Sequence, residues 1–585
     1  MFKSCSPYLK MFSGKGIKWN FSLNNELLHY AMEEDKLIFL HIGSFSNITL
    51  RESTSKLFND PEVISLLNEN YVCLIEDKED NPESFLLALD LLMLNQDFTY
   101  GPVNMFIMPN RRPLIAFSDC DPENFKEFAK RVLLAKSEKR EKLFQMSEEL
   151  SKRVMNLGIA KKTEQKSEID SAYFSFYLKT WLDSIFETDF ISKFKPFTPS
   201  PITLYTVIEY LKSFPDPEIS ERVENLLDHF QYSPLFDVIG GGFFRQTVDY
   251  TCLQPLFEKT LEDNSQFLAL YSLAYEYYKK DSYKKTAFLI SEFLQNELSN
   301  GKGGYYNSTT LLGDVKDSVY YHYSINELKI LFPERYGEIA EAMGLDLETD
   351  SKKRQLPVRG LDTFNVITTD EIKSLRLRRA EHRSYFTDER CITSSNSTSV
   401  KAFAIASRYL SDTSLYQKAV ANFEFIIYNN ISKEDSRLFR YTCRSESYLP
   451  GYLSDYAHFI EASLELYQIR GDDEYYHVAK RYLEITTERF FKPENGMFSK
   501  SEIGTPGHTV PFKRESNIDF MRPSANSVMA GNLLTMYGIT SEALYLNMAS
   551  QQLFNVAPNL MNSGPMLSNW AHKILIYINL GLSSE

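Results

Sequence analysis

The chain has 585 residues, more than one hydrophobic core ordinarily accommodates, so we expect at least two domains. A hydrophobic content of 43% is sufficient for packed interiors and excludes a largely disordered protein. With 78 acidic against 64 basic residues the net charge is -14, which argues against nucleic acid as a partner.

The cysteine pattern and the first residues of the chain indicate the cellular location of the protein. The cysteines form no CxxC pair and no metal-ligand spacing, so we predict no disulfide scaffold, no metal site and no cofactor. The start, MFKSCSPYLKMFSGKG, has no apolar run, and apolar runs elsewhere are far shorter than a membrane span. We therefore expect a cytoplasmic protein without a membrane partner.

Strand and helix patterns alternate in the first 120 residues. NNELLHYAMEE at 24–34 has helical spacing, and further helices are predicted at 60–70 and 85–94. Short apolar runs predict strands at 36–42, 71–76, 103–108 and 113–117. This order is typical of a thioredoxin-like α/β fold, with Pro102 as the structural cis-proline candidate.

The loop after the first central strand carries no thiol. In a redox-active thioredoxin that loop holds CxxC at a helix N-terminus, but here 44–49 reads SFSNIT. Cys73 lies within a predicted strand and Cys120 in a loop, so both are interpreted as structural. Thiol-disulfide exchange is therefore not expected.

The polar run that begins at Lys161 separates two regions of different character. Before it, Asp121 and Pro122 predict the start of one long helix that continues to about Met155. We place the thioredoxin-like domain at 1–160, a linker at 161–172 and a mostly helical domain at 173–585.

The second region repeats itself with a period of about 44 residues. Copies that start at Ser265, Ser399 and Tyr456 each show an apolar helix, a polar turn and a second helix, in which a tyrosine precedes an alanine. Weaker copies start at Pro201 and Ala525. Five such hairpins fit either an open solenoid or a closed α/α toroid. We favour the toroid, six-hairpin glycosidase-like, because the first helix of each pair is apolar nearly all round, as an inner ring requires.

The stretch 238–266, VIGGGFFRQTVDYTCLQPLFEKTLEDNSQ, concentrates charge next to glycines and aromatic residues. It is predicted to run into a helix that places Glu258, Glu262 and Gln266 on one face. Two interpretations stay open at this point: the lip of a sugar-sized pocket, or a charged surface corner.

Polar residues also lie near the start of each predicted inner helix, so a ring would bring them to one mouth. Asparagine, serine and aspartate at such positions are also ordinary helix caps, and we prefer that interpretation for Ser524 and Asn526. A lone His458 is more often a core histidine than a base. The catalytic candidates are Asp263, Asp455, Glu258 and His458. The ligand-binding candidates are Arg245, Asp249, Lys259, Asn396, Tyr456, Arg522 and Asn526.

Several motifs are distributed along nearly the whole chain: EDKLIFLHIG at 34–43, YGPVNMFIMPN at 100–110, GGFFRQTVDY at 241–250, SDYAHFIEA at 454–462 and RPSANSV at 522–528. Together they resemble the spermatogenesis-associated protein 20 (YyaL-like) family. The resemblance implies a thioredoxin-like domain followed by an (α/α)6 toroid similar to N-acylglucosamine 2-epimerase, and hence a carbohydrate-type pocket.

The chain departs from that family at the presumed functional positions. FSNIT stands where the family has a CHWCH-type segment, and Leu256 replaces a histidine in Pro-His-Phe-Glu-Lys. Loss of an imidazole weakens a catalytic role. Two hypotheses follow: a redox-inactive, divergent member that binds a carbohydrate-like ligand or a protein partner, or a sugar isomerase, epimerase or glycoside hydrolase that uses toroid carboxylates.

Overall fold

The computed structural model describes residues 4–46, 48–94, 102–158, 171–187, 196–312, 319–360, 363–382, 385–502, 517–519 and 522–581. The chain divides into two compact units. The first comprises Met1–Ala160, Arg489–Phe491 and Phe498–Ser516. The second comprises Lys161–Glu488, Lys492–Met497 and Asn517–Glu585. The predicted linker lies outside the described residues except for 171 and 172, the first two residues of a helix.

The first unit is an α/β domain. Its helices are α1 (Pro7–Phe12), α2 (Asn25–Glu33), α3 (Ile48–Asn59), α4 (Pro61–Asn70), α5 (Pro82–Leu94), α6 (Pro122–Glu138) and α7 (Arg140–Gly158). Its strands are β1 (Trp19–Asn20), β2 (Leu37–Gly43), β3 (Tyr71–Asp77), β4 (Val103–Ile107) and β5 (Pro113–Phe117). The predicted strands are thus confirmed to within a residue or two.

The five strands form one sheet in the order β1-β3-β2-β4-β5. β3 is parallel to β1 and β2, whereas β4 is antiparallel to β2 and β5. Every residue of β2 and β3 is buried, because apolar helices cover both faces of the sheet. The thioredoxin-like topology is confirmed, and Pro102 lies buried directly before β4.

The helix predicted from Pro122 to Met155 is in fact two helices. Its start is as expected, since the Asp121 carboxylate accepts hydrogen bonds from the backbone of Glu123 and Asn124. The backbone leaves the helix at Lys139, between α6 and α7. The run SEKREK at 137–142 offers no apolar side chain that could anchor a continuous helix across this point.

The second unit is mainly helical. Its long helices are α8 (Ser171–Glu187), α9 (Pro201–Ser213), α10 (Pro217–Gln231), α11 (Leu261–Tyr278), α12 (Asp281–Phe293), α17 (Thr393–Leu410), α18 (Thr413–Asn429), α19 (Leu453–Arg470), α20 (Asp473–Phe490), α21 (Ala525–Thr540), α22 (Ala543–Val556) and α23 (Ser568–Asn579). The shorter helices α13 to α16 are Ile325–Leu331, Tyr336–Ala342, Thr363–Val366 and Thr369–Glu381.

Short strands connect these helices. They are β6 (Glu258–Thr260), β7 (Ser308–Leu311), β8 (Tyr323–Ser324), β9 (Arg354–Gln355), β10 (Tyr385–Asp388), β11 (Cys391–Ile392), β12 (Phe439–Cys443), β13 (Glu446–Pro450), β14 (Phe491–Lys492) and β15 (Met497–Phe498). β6, β7 and β10 form one sheet, and β11, β12 and β13 form another. Because β6 leads directly into α11 and β11 into α17, these sheets position the first residues of two inner helices.

Six helices close a ring. Each packs against the next in the order α9, α11, α17, α19, α21 and α23, and α23 packs back onto α9. α10, α12, α18 and α22 cover their preceding inner helices, and the Tyr482 ring of α20 lies 4.9 Å from the Phe459 ring of α19. The closed toroid is therefore confirmed over the open solenoid.

The sixth hairpin was not visible in the sequence. α8 packs against α23, so the outer helix at this position comes from the start of the toroid and the inner helix from its end. The repeated alanines pack as expected, since Ala287, Ala419, Ala479 and Ala549 are fully buried. Among the described residues, no helix is long and apolar enough to cross a membrane.

Candidate functional site

Two inner helices are tied to the loops before them by an asparagine. Asn264 accepts a hydrogen bond from Phe243 N (2.7 Å) and donates one to Phe243 O (3.0 Å). Asn396 makes the same pair of bonds to Tyr305, at 2.8 and 3.0 Å. Both asparagines are fully buried, and each clamped residue follows a Gly-Gly pair. The contacts of Asn396 are thus structural, and a ligand-binding role for it stays a prediction.

A tyrosine occupies the corresponding position in the third copy. The Tyr456 hydroxyl accepts a hydrogen bond from Leu438 N at 3.1 Å, while Leu438 O accepts one from Gly451 N. Asn526 is the second residue of α21 and is fully buried. Ser524 caps that helix, as predicted, by accepting a bond from Ser527 N. A ligand contact by Tyr456 or Asn526 also stays a prediction.

The side chains of Glu258 and Lys259 lie on opposite faces of β6, as expected for adjacent residues of a strand. Lys259 lies in the interior with its Nζ 3.0 Å from Asp237 and 3.6 Å from Glu297. Arg379 completes this buried ion cluster, 2.9 Å from Asp237. Burial alone would raise the pKa of Asp237, but the two cations hold it well below its usual value. The contacts of Lys259 therefore stabilise the fold.

Glu258 faces the other way, into what we call the mouth cluster: Arg245, Glu258, Glu262, Asp263, Ser395 and Arg522. Arg245 lies 3.3 Å from Glu258 and 3.6 Å from Asp263, so three predicted site residues come together. The expectation that Glu258 shares a helix face with Glu262 is wrong. The Thr260 side chain caps α11 by accepting a bond from Asp263 N, so the helix begins only at Leu261.

One ion pair of the mouth cluster spans the ring. Arg522, just before α21, lies 3.1 Å from Glu262 of α11, and these helices occupy opposite positions in the ring. Ser395 of α17 donates a hydrogen bond to the same carboxylate at 3.3 Å. The Arg522 side chain is 29% exposed, whereas that of Glu262 is 5% exposed. This pair marks the side of the ring where the inner helices begin.

Asp455 lies beside the mouth cluster in a structural arrangement. Its carboxylate accepts hydrogen bonds from Ser394 N (3.0 Å), Arg440 (2.8 Å) and Tyr452 N (2.9 Å), and it is fully buried. Asp249 is elsewhere, in a turn where it accepts bonds from the backbone and hydroxyl of Thr251. The catalytic role of Asp455 and the ligand-binding role of Asp249 stay predictions.

Further along the inner helices lies the lumen cluster: Lys401, His458, Glu461, His572 and Lys573. Glu461 Oε1 is 2.6 Å from Lys401 and 3.9 Å from Lys573, and Glu461 Oε2 is 3.4 Å from His458 Nδ1. Because α19 and α23 are not neighbours in the ring, the approach of Glu461 to Lys573 lies inside it. His458 is thus the one predicted residue that the structure places in this cluster.

The lumen cluster has perturbed titrations with clear causes. Burial alone would raise the pKa of Glu461, but the charge of Lys401, the nearby His458 side chain and the charge of Lys573 lower it well below its usual value. Burial, reinforced by the charge of Lys401, lowers the pKa of Lys573 to about 8. Burial likewise lowers the pKa of His572.

Sequence reasoning missed four of these five residues. Glu461 follows His458 by three positions, so helical spacing alone could have paired them. Lys401 has no charged residue three or four positions away, so no sequence pattern indicated its partner. His572 and Lys573 lie in α23, outside every recognisable copy of the repeat.

The thiols of the first unit lack the properties of a redox pair. Cys73 and Cys120 are free thiols, and burial raises the pKa of Cys73 to about 12 and that of Cys120 to about 11. A reactive thiol requires the opposite shift. Asn47, in the loop at 44–49, lies outside the described residues.

The chain combines a thioredoxin-like domain with an (α/α)6 toroid, and the toroid carries both clusters. Residues 1–155 match a thioredoxin-type family model described as a protein of unknown function, DUF255. Spermatogenesis-associated protein 20 from Rattus norvegicus and from Homo sapiens are each 22% identical, over 92% of this chain and 75% of theirs. The resemblance to that family is thereby confirmed. An uncharacterised Caenorhabditis elegans protein is also 22% identical, over 96% of this chain and 83% of its own.

Two solved structures align with about 70% of this chain. A cellobiose 2-epimerase from Bacillus thermoamylovorans is 9% identical and aligns over 70% of this chain and 99% of its own, with a TM-score of 0.46. A family 76 α-mannanase from Bacteroides thetaiotaomicron is 13% identical over 70% of this chain and 96% of its own, with a TM-score of 0.43.

Proposed function

We propose that the toroid binds a carbohydrate-like ligand at the mouth cluster, in a cytoplasmic protein whose thioredoxin-like domain does not exchange disulfides. The observation that carries this proposal is the Arg522–Glu262 pair, which spans the opening of the ring with a partly exposed arginine and a buried carboxylate.

The mouth cluster has the chemistry that polyols require. Vicinal hydroxyls form paired hydrogen bonds with the planar guanidinium of an arginine and with carboxylate oxygens. Arg245, Glu258 and Asp263 are already desolvated and held by one another, so a ligand meets groups whose orientation is fixed before binding. Ser395 adds a hydroxyl on the neighbouring helix.

A second candidate function, sugar isomerisation, epimerisation or glycoside hydrolysis, rests on a different observation. His458 and Glu461 place an imidazole 3.4 Å from a carboxylate inside the ring, an arrangement suited to proton transfer. Asp263 and Asp455, by contrast, are each engaged in an ion pair with an arginine, Arg245 and Arg440 respectively. A glycosidase needs one carboxyl that holds a proton, so the imidazole favours proton transfer at a sugar carbon over hydrolysis.

A thermal-shift screen against mono- and disaccharides, their phosphates and N-acetyl derivatives tests the binding proposal. A sugar present at a hundredfold its Kd stabilises the folded state by about 2.7 kcal/mol if it binds only that state. Arg522→Gln should abolish the shift, because it removes the guanidinium from the mouth cluster while the side chain remains partly exposed. Arg222→Gln is the matched control, since Arg222 pairs with Glu218 at the same 3.1 Å on the outer surface of α10.

Each outcome of this screen is informative. A shift that Arg522→Gln removes and Arg222→Gln retains supports the mouth cluster as the binding site. A shift that both variants retain rejects that location. A flat screen rejects the carbohydrate ligand and favours a protein partner. For the second candidate, incubation of a binding sugar in D2O should introduce deuterium at a sugar carbon, and His458→Gln should prevent this.

A further inference from the structure

The side chain of Lys573 occupies a slot that the neighbouring helix leaves open. Lys573 lies on α23, and its side chain passes α21 to approach Glu461 on α19. It passes at Gly531, where a Cβ atom would lie 2.7 Å from Cε, 3.0 Å from Cδ and 3.2 Å from Nζ of the lysine. Glycine within a helix costs about 1 kcal/mol relative to alanine, so the position of Gly531 indicates a specific accommodation of this lysine.

The end of this lysine lies among groups that can carry protons. His572 Nδ1 is 3.4 Å from Nζ, and Glu461 Oε1 is 3.9 Å away. Glu461 in turn lies beside Lys401 and His458. The Lys573 side chain is 4% exposed, while those of Lys401 and Glu461 are 22% and 14% exposed, so the cluster adjoins space that solvent reaches.

Lys573 differs from the other fully buried lysine described in the toroid. Lys259 lies 3.0 Å from Asp237 and 3.6 Å from Glu297, and it also donates a hydrogen bond to Gly241 O. Lys573 shares its carboxylate with Lys401, which lies closer to it. With a pKa of about 8, about a tenth of Lys573 is neutral at pH 7, against roughly one in 2,500 for an ordinary lysine.

We propose that Lys573 is a nucleophilic amine that forms an imine with the carbonyl group of an open-chain sugar. The neutral Nζ attacks the carbonyl carbon, and a proton moves from nitrogen to the carbonyl oxygen to give a carbinolamine. The hydroxyl group then takes up a second proton and leaves as water while the C=N bond forms. No oxidant or reductant takes part. His572 and Glu461 are the nearest groups able to move these protons.

This inference rests on the proposed function, since it names the reactive form of the carbohydrate. The inference gives the two clusters different roles in binding the sugar. The mouth cluster binds hydroxyl groups at the opening, and the lumen cluster receives the carbonyl end of the chain. A cyclic sugar locked as its methyl glycoside has no free carbonyl and should bind without reacting.

Reductive trapping of the full-length protein tests the amine. The protein is incubated at pH 7 with glyceraldehyde, a short sugar with a free carbonyl, and sodium cyanoborohydride, which reduces an imine to a stable secondary amine. Peptide mass mapping then locates the adduct. We expect Lys573 to be modified at least about tenfold faster than Lys401, because Glu461 holds Lys401 at 2.6 Å but lies 3.9 Å from Lys573. Lys573→Arg should remove this adduct.

The glycine slot supplies a second test with a matched control. Gly531→Ala should displace the lysine and reduce the trapping rate at Lys573 at least about fivefold. Gly538→Ala, in the same helix but with nothing within 4 Å of the added Cβ, should leave that rate unchanged. Equal rates in the two variants would overturn the positioning argument.

The result separates the inference from the proposed function. Modification of Lys401 or surface lysines with none at Lys573 overturns the inference, whatever the thermal shifts show. If a methyl glycoside stabilises the protein while Lys573 stays unmodified, the carbohydrate proposal stands and the imine does not. Rapid modification of Lys573 without any sugar-dependent thermal shift supports the amine and rejects the mouth cluster as a binding site.

Discussion

Replacing Asn396 with alanine should destabilise the toroid substantially. Asn396, which is fully buried, accepts a bond from Tyr305 N and donates one to Tyr305 O, directly after Gly303 and Gly304. No other described hydrogen bond involves these two backbone groups. An unsatisfied buried group costs about 1–3 kcal/mol, so we expect a loss of roughly 2–5 kcal/mol.

The repeat provides an internal comparison, because Asn264 makes the same two bonds to Phe243. Asn264→Ala should therefore cost the same within about 1 kcal/mol, whereas Asn579→Ala, which removes one exposed bond to Ser213, should change stability by less than about 0.5 kcal/mol. Urea unfolding followed by far-UV circular dichroism measures all three variants. A loss below about 1 kcal/mol for Asn396→Ala would refute the argument from unsatisfied backbone groups.

Three further predictions concern other parts of the fold. Burial lowers the pKa of His41 to about 4 from an unfolded value near 6.5, so its contribution to the free energy of unfolding should be fully present above pH 6.5 and fall by roughly 3 kcal/mol as the pH drops to 4. Urea unfolding at several pH values should show this fall, and His41→Asn should remove it. Lys259→Met breaks a fully buried ion pair with Asp237 and should cost roughly 3–5 kcal/mol in urea unfolding; a neutral result would contradict the structural role of this lysine. Gly303→Ala should lower the melting temperature more than Gly301→Ala, because both have positive φ but only at Gly303 would a Cβ approach backbone, at 2.6 Å from Ala421 O.

The thioredoxin-like domain could be predicted closely because its strands are continuous apolar runs. β2 and β3 are buried on both faces, so each reads as an uninterrupted hydrophobic segment, LIFLHI and YVCLIE. The small edge strand β1, of two residues, has no such pattern and was not predicted. A strand could therefore be predicted from the sequence where both of its faces are buried, whatever the strand propensity of its residues.

The candidate site was only partly predictable because charge alone does not show where a side chain points. Lys259 and Glu258 are adjacent, yet one belongs to a buried ion cluster and the other to the mouth cluster. Asp455 was predicted to be catalytic, which stays a prediction, and its partner Arg440 is fifteen residues earlier, on β12. Lys573 depends on a gap at Gly531 that only the packed ring reveals.

The pairing of α8 with α23 has a consequence for biosynthesis. Trp181 on α8 donates a hydrogen bond to Gly564 O at 2.8 Å, a contact between residues 383 positions apart. During translation, five of the six hairpins can form from neighbouring segments, but the sixth must wait until α23 leaves the ribosome. Phe174 and Trp181 of α8 are fully buried in the folded protein, and until then they remain exposed. Closure of so long a loop is slow, so the nascent chain is most exposed to chaperones and proteases at this late stage.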